Sequence, residues 1–88
     1  MSSVTLTLLT RPGCHLCDTA REIVTLVVDG VAERDPDRDI RVVEKSIDGD
    51  ADLTAAYSDQ VPVILIDDRV HTYWRVDSAR LTTALLEA

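Results

Sequence analysis

The chain is 88 residues long, 45% apolar, and carries a net charge of −7 from nine basic and sixteen acidic side chains. That length predicts a single domain, residues 1–88, with a modest core and no room for a second domain. The negative balance repels phosphate backbones and anionic membrane surfaces, which removes nucleic acid and membranes from the expected partners.

Val4, Leu6 and Leu8 alternate with Thr5 and Thr7, and Leu9 extends the apolar run, so a first strand is predicted over Val4 to Leu9. Pro12-Gly13 ends it with a turn. From Cys14 onward, Leu16, Ala20, Ile23, Val24, Val27, Val28 and Val31 recur at steps of three and four, the apolar face of the longest helix. Asp18, Arg21, Glu22 and Thr25 fall on its wet side, and Gly30 weakens its end. The charged stretch from Glu33 to Asp39, with Pro36 inside it, reads as a solvated connection.

Ile40 to Ile47 is rich in β-branched residues and predicts a second strand, with Asp48-Gly49-Asp50 as turn and helix cap before a short helix over Ala51 to Tyr57. Val61 to Ile66 is almost wholly apolar, the mark of a strand buried on both faces, and Asp67-Asp68 turns it back into Val70 to Arg75 as an antiparallel hairpin. Asp77 is an N-cap for a closing helix whose Leu81, Ala84, Leu85 and Ala88 share one face. With no Phe and only Tyr57, Tyr73 and Trp74 as aromatic residues, the core must be packed mainly with aliphatic side chains. The order β-α-β-α-β-β-α predicts an α/β fold of three layers, helices covering both faces of a four-stranded mixed sheet.

Cys14 and Cys17 are the only cysteines, and they stand in Arg11-Pro12-Gly13-Cys14-His15-Leu16-Cys17 directly after the first strand. Cys-X-X-Cys at a strand-to-helix junction points to thiol–disulfide chemistry, because unpaired N–H groups and the positive dipole end of a helix stabilise a thiolate, the species that attacks a disulfide. Cys14, in the first turn with its sulfur outward, is the candidate nucleophile; Cys17, one turn later and more buried, is the candidate resolving thiol. The plain alternative is two buried apolar fillers. An imidazolium at His15 would lower the thiolate pKa further, against the equal alternative of an inert surface histidine. Arg11 would add positive potential or a carboxylate contact, against the plain reading of an exposed loop arginine. Trp74 reads as packing against the sheet edge, Tyr57 as a helix anchor, and His71 as an exposed edge-strand residue.

The element order, Cys14 to Cys17, Ile47-Asp48 with Leu53 and Tyr57, Val61-Pro62-Val63 and Trp74 before the last helix together resemble the glutaredoxin-like family of small bacterial proteins, a minimal form of the thioredoxin fold. The resemblance covers nearly the whole chain. It implies a cis peptide bond between Val61 and Pro62, facing the cysteine pair, and a substrate whose extended backbone pairs with the N–H and C=O of Val61. Typical glutaredoxins have a Cys-Pro-Tyr-Cys motif and a diglycine followed by acidic residues, where the γ-glutamyl end of glutathione is held. Here His15-Leu16 lie between the cysteines and Tyr73-Trp74-Arg75-Val76-Asp77 stands at the diglycine, so only Asp77, facing an ammonium group, carries over from that subsite.

The expected activity is therefore that of a thiol–disulfide oxidoreductase acting on protein or small-molecule disulfides, with no bound cofactor. Reducing equivalents would come from a low-molecular-weight thiol or a flavoprotein reductase. One rival is a metal module in which Cys14, Cys17 and one or both histidines hold zinc, or two chains share an iron–sulfur cluster, although one Cys-X-X-Cys supplies only two thiolates. Another is a non-catalytic thioredoxin-like interaction domain with a structural disulfide. A basic leader and a long apolar stretch are both lacking, and two cysteines are too few for a secreted scaffold, so a cytoplasmic protein is expected.

Overall fold

The computed structural model describes residues 2–88. In chain order the elements are β1 (Ser2–Thr10), α1 (His15–Arg34), β2 (Arg38–Ser46), α2 (Ala51–Tyr57), β3 (Val63–Ile66), β4 (Arg69–Tyr73) and α3 (Ser78–Glu87). The sheet order is β2-β1-β3-β4, with β1 parallel to β2 and the other two pairs antiparallel. This is the mixed four-stranded sheet expected from the sequence, with β1 and β3 central.

Alternation along β1 sorts the two faces. Val4, Leu6 and Leu8 point to one side, where they meet Ala20, Val24, Val27 and Val31 of α1, Ile64 of β3, and Leu81 and Leu85 of α3. A Leu or Val removed fully from water contributes roughly 1.5–3 kcal/mol, so Leu81 and Leu85 are what hold the ten-residue α3 against α1 and the sheet. Leu9 and Val63 lie on the other side, in a second cluster with Ile47, Val61 and Cys17, onto which Cys14, Leu53, Tyr57 and Leu65 pack. Helices thus cover both faces, and the second cluster joins the cysteines to α2.

Several boundaries differ from the sequence reading for local reasons. Gly30 does not weaken the helix end: α1 runs on to Arg34, because Val31 is completely buried and holds the last turn down. Leu16 is not part of the apolar face but is exposed, since Cys17 takes the buried position in the first turn of α1. β3 starts at Val63 and not Val61, because Pro62 has no N–H for the ladder. β4 stops at Tyr73 because Trp74 turns to φ 62°. The Asp67-Asp68 hairpin turn has positive φ at both residues, 50° and 68°, a conformation aspartate tolerates better than most side chains. Asp67 secures the turn to β1: its carboxylate accepts from the Thr5 N–H at 2.9 Å, and its own N–H donates to the Thr5 carbonyl at 2.9 Å. Ala88 lies beyond the helical residues and is exposed.

On the β2 edge, the Arg21 guanidinium makes paired bonds of 2.7 and 2.9 Å to the two Glu44 carboxylate oxygens and a third of 2.9 Å to Asp18. These bonds tie α1 to the edge strand. They hold the Glu44 carboxyl below the ordinary carboxylate range, and the Arg21 guanidinium is raised further by its hydrogen bonds to Glu44 and Asp18. Among the described residues no helix is long and apolar enough to cross a membrane.

Candidate functional site

Pro12-Gly13 delivers the chain from β1 into α1, with Gly13 at φ 73°, a conformation costly for a residue with a Cβ. Cys14 is the N-cap of α1, at φ −94° and ψ 110°, and its Sγ accepts the Cys17 N–H at 3.1 Å. A sulfur in this place receives one of the orphan donors of the helix and sits at the positive end of its dipole. Cys14 and Cys17 form a disulfide, with Cα atoms 5.2 Å apart. Their environments differ: Cys14 is half-buried, whereas Cys17 is 1% exposed and packed in the second core cluster.

Val61 is buried in that same cluster, and the Val61-Pro62 peptide bond is cis. Among the described residues, the N–H and C=O of Val61 take part in no hydrogen bond. The flanking carbonyls of Gln60 and Pro62 do: both accept the Trp74 N–H, at 3.3 and 2.8 Å. The indole Nε1 donates to the Asp59 carbonyl at 2.8 Å. Trp74 is therefore clamped to the loop that carries the cis proline, and it is 53% exposed, not packed into the sheet edge as expected from the sequence. A left-handed backbone costs an ordinary residue roughly 1–2 kcal/mol, and a bulky side chain there is an outlier held in place by its surroundings.

The remaining sequence candidates lie around this centre at different ranges. The Arg11 guanidinium is exposed and donates to the Ser58 carbonyl at 2.8 Å, bridging the β1–α1 turn to the end of α2. Two open clefts meet at Arg11: one of about 270 Å³ reaches Cys14 and Cys17 between Thr10, Asp18, Arg21 and Ser46, the other of about 250 Å³ runs over Ile47, Asp48, Thr54 and Ser58. His15 begins α1 and is exposed. Asp77 caps α3, its carboxylate accepting the Arg80 N–H at 3.1 Å. Tyr57 is half-buried against the second cluster, an anchor as expected. His71 is half-buried, not exposed; desolvation pushes its imidazole below the usual range, Arg80 adds to this, and Asp77 opposes it.

Among the described residues, no three His, Cys, Asp or Glu side chains converge as metal ligands do. Sequence reasoning missed the clamped Trp74 and the exposed Leu16. The only available signal for Trp74 was its place three residues before an N-cap.

A family model described as Glutaredoxin-like domain (DUF836) matches residues 5–86. The chain belongs to this glutaredoxin-like family. An uncharacterised protein of Mycobacterium tuberculosis is 34% identical to this glutaredoxin-like chain over 86 residues, 92% of the chain and 81% of the relative. The X-ray structure of a structural-genomics target protein from X. campestris superposes with a TM-score of 0.72 at 34% identity, covering 94% of the chain and 97% of that structure. A mutant thioredoxin from Halobacterium salinarum, 18% identical, has a TM-score of 0.66 and covers 98% of the chain and 74% of its own, which establishes the thioredoxin fold. A glutaredoxin-like thioredoxin fold with an N-capping Cys-X-X-Cys pair is an arrangement for redox chemistry.

Proposed function

We propose that this chain is a thiol–disulfide oxidoreductase working by a dithiol mechanism. The observation that carries the reading is the asymmetry of the pair: Cys14 is accessible and its sulfur receives the Cys17 N–H at the helix end, while Cys17 is buried beneath it. In the reduced protein that bond and the helix dipole favour a thiolate at Cys14.

The Cys14 thiolate attacks one sulfur of a substrate disulfide. A bond forms between Cys14 and that sulfur, the substrate S–S bond breaks, and the leaving thiolate takes a proton from solvent. Cys17 then loses its proton and attacks Cys14 Sγ, releasing the second substrate thiolate. The substrate gains two electrons and the protein is left with the Cys14–Cys17 disulfide. The unpaired N–H and C=O of Val61, next to Pro62, suit an extended substrate backbone laid beside the sulfurs. Arg11 supplies positive charge at the rim, the exposed His15 stands beside Cys14, and Asp77, at the start of α3, is an acidic group available to a substrate ammonium.

Reducing equivalents return from a low-molecular-weight thiol or a flavoprotein reductase, a supply that fits the cytoplasm. The test is trapping. Cys17→Ser should accumulate a mixed disulfide on Cys14, read by mass, and Cys14→Ser should accumulate none; equal trapping by both variants, or by neither, would remove the reading.

A further inference from the structure

Among the described residues, large apolar side chains are left in water at Leu16, Leu26, Val42, Val70, Tyr73 and Trp74. Leu16 stands between the two cysteines, and Tyr73 and Trp74 form a tilted aromatic pair with ring centroids 6.4 Å apart. Trp74 is bonded through its backbone to the carbonyls on either side of Val61, and through its indole to Asp59. The pair is thus attached to the loop in which the N–H and C=O of Val61 remain free, and Val61 packs in the same cluster as Cys17. Three donor–acceptor contacts hold the indole in a backbone conformation that disfavours it, yet more than half of its surface faces solvent. A tryptophan kept there for core packing would be covered. Residues held in sparsely populated conformations gather where a surface must be presented in one orientation.

We propose that Tyr73 and Trp74 form a rigid docking platform for an extended polypeptide disulfide that carries an apolar side chain next to its reacting cysteine. The proposal rests on the oxidoreductase reading. The occupant is a polypeptide because the free donor and acceptor of Val61 match a peptide backbone, and side chains of an extended strand then project at fixed intervals onto the aromatic rings. Tryptophan and tyrosine give large contact area with few rotatable bonds, which is why they dominate the affinity of small interfaces. A small hydrophilic disulfide would leave the platform wet and gain nothing from it.

The experiment uses the reduced chain in single turnover with two short synthetic peptide disulfides, alike except for Leu or Ala beside the cysteine. The wild-type rate should favour the Leu peptide by about tenfold, which is about 1.4 kcal/mol. In Trp74→Gly, where glycine adopts the positive φ freely, the Leu-to-Ala ratio should fall close to one; Trp74→Phe should keep most of it. A wild-type ratio near one, or a ratio that survives Trp74→Gly, overturns the platform while leaving the oxidoreductase reading intact. A Trp74→Gly variant that slows both peptides equally assigns Trp74 a structural role and also overturns it. A wild-type chain that reacts with neither peptide overturns the oxidoreductase reading, and the platform with it.

Discussion

Asp77 was singled out in the sequence both as a helix cap and as a contact for a substrate ammonium, and two substitutions separate these roles. Its carboxylate accepts the Arg80 N–H at 3.1 Å while its backbone is extended at φ −93° and ψ 113°, the geometry of a working N-cap. Asp77→Ala removes the acceptor, about 1 kcal/mol, and the negative charge at the helix start, about 0.5 kcal/mol. Asp77→Asn keeps the acceptor and loses only the charge. For a domain of this size each kcal/mol moves Tm by roughly 4–8 °C, so Ala should lower Tm by about 6–12 °C and Asn by about 2–4 °C. In 1 M salt the Asn deficit should vanish, because the charge effect is screened, while most of the Ala deficit persists. Thermal unfolding of the oxidised protein by circular dichroism reads all four values. Equal losses for the two variants, or an Ala deficit that salt abolishes, would refute the capping role. Because Asn preserves the helix, a slower reaction of Asp77→Asn with an amine-bearing disulfide, but not with a neutral one, would assign the charge to substrate contact.

Two pH effects follow from the neighbours of His71 and Glu44. His71 is held below its ordinary pKa by desolvation and by Arg80, against Asp77, with Glu87 lining the same cleft. The unfolded chain therefore takes up this proton first, and stability should fall as pH drops below about 6.5; in His71→Gln that part of the slope between about pH 7 and 5 should disappear from a Tm–pH series. An unchanged slope would place the imidazole in free solvent. Glu44 is held below the ordinary carboxylate range mainly by its hydrogen bonds to Arg21. Its contribution is present above the unfolded pKa of about 4.3 and lost as pH falls through the lower folded value. Glu44→Gln should therefore flatten acid destabilisation slightly, the pair being partly exposed and screened; urea midpoints at pH 5 and pH 3 measure it, and a parallel shift at both would contradict the ion pair.

Much of the fold was legible because strong local signals agreed. Period-two alternation in Val4 to Leu8, period-3.6 spacing from Ala20 to Val31, and the Asp50 and Asp77 caps each named the right element. The burial of Val63 and Ile64 in β3 followed from its unbroken apolar run. What escaped was set by tertiary contacts. Leu16 keeps the helical apolar spacing, yet Cys17 and not Leu16 fills the buried position of that turn. Trp74 looks like core by composition alone, and only the clamp to Asp59, Gln60 and Pro62 explains its turn into solvent. Arg21 read as one more wet residue, because its partner Glu44 lies on a strand distant in sequence. The cysteine motif was visible as spacing, whereas the difference in access between its two sulfurs depends on the second core cluster.

The most direct test of the central claim is the pH dependence of alkylation of the reduced protein, with mass mapping to distinguish the two cysteines. A nucleophile at the helix N-cap predicts that Cys14 reacts first, with a pKa well below the reference of about 8.5, while Cys17 stays protected in the fold. If both cysteines titrate near the reference value, or if Cys17 reacts first, the dithiol mechanism with Cys14 as nucleophile is contradicted.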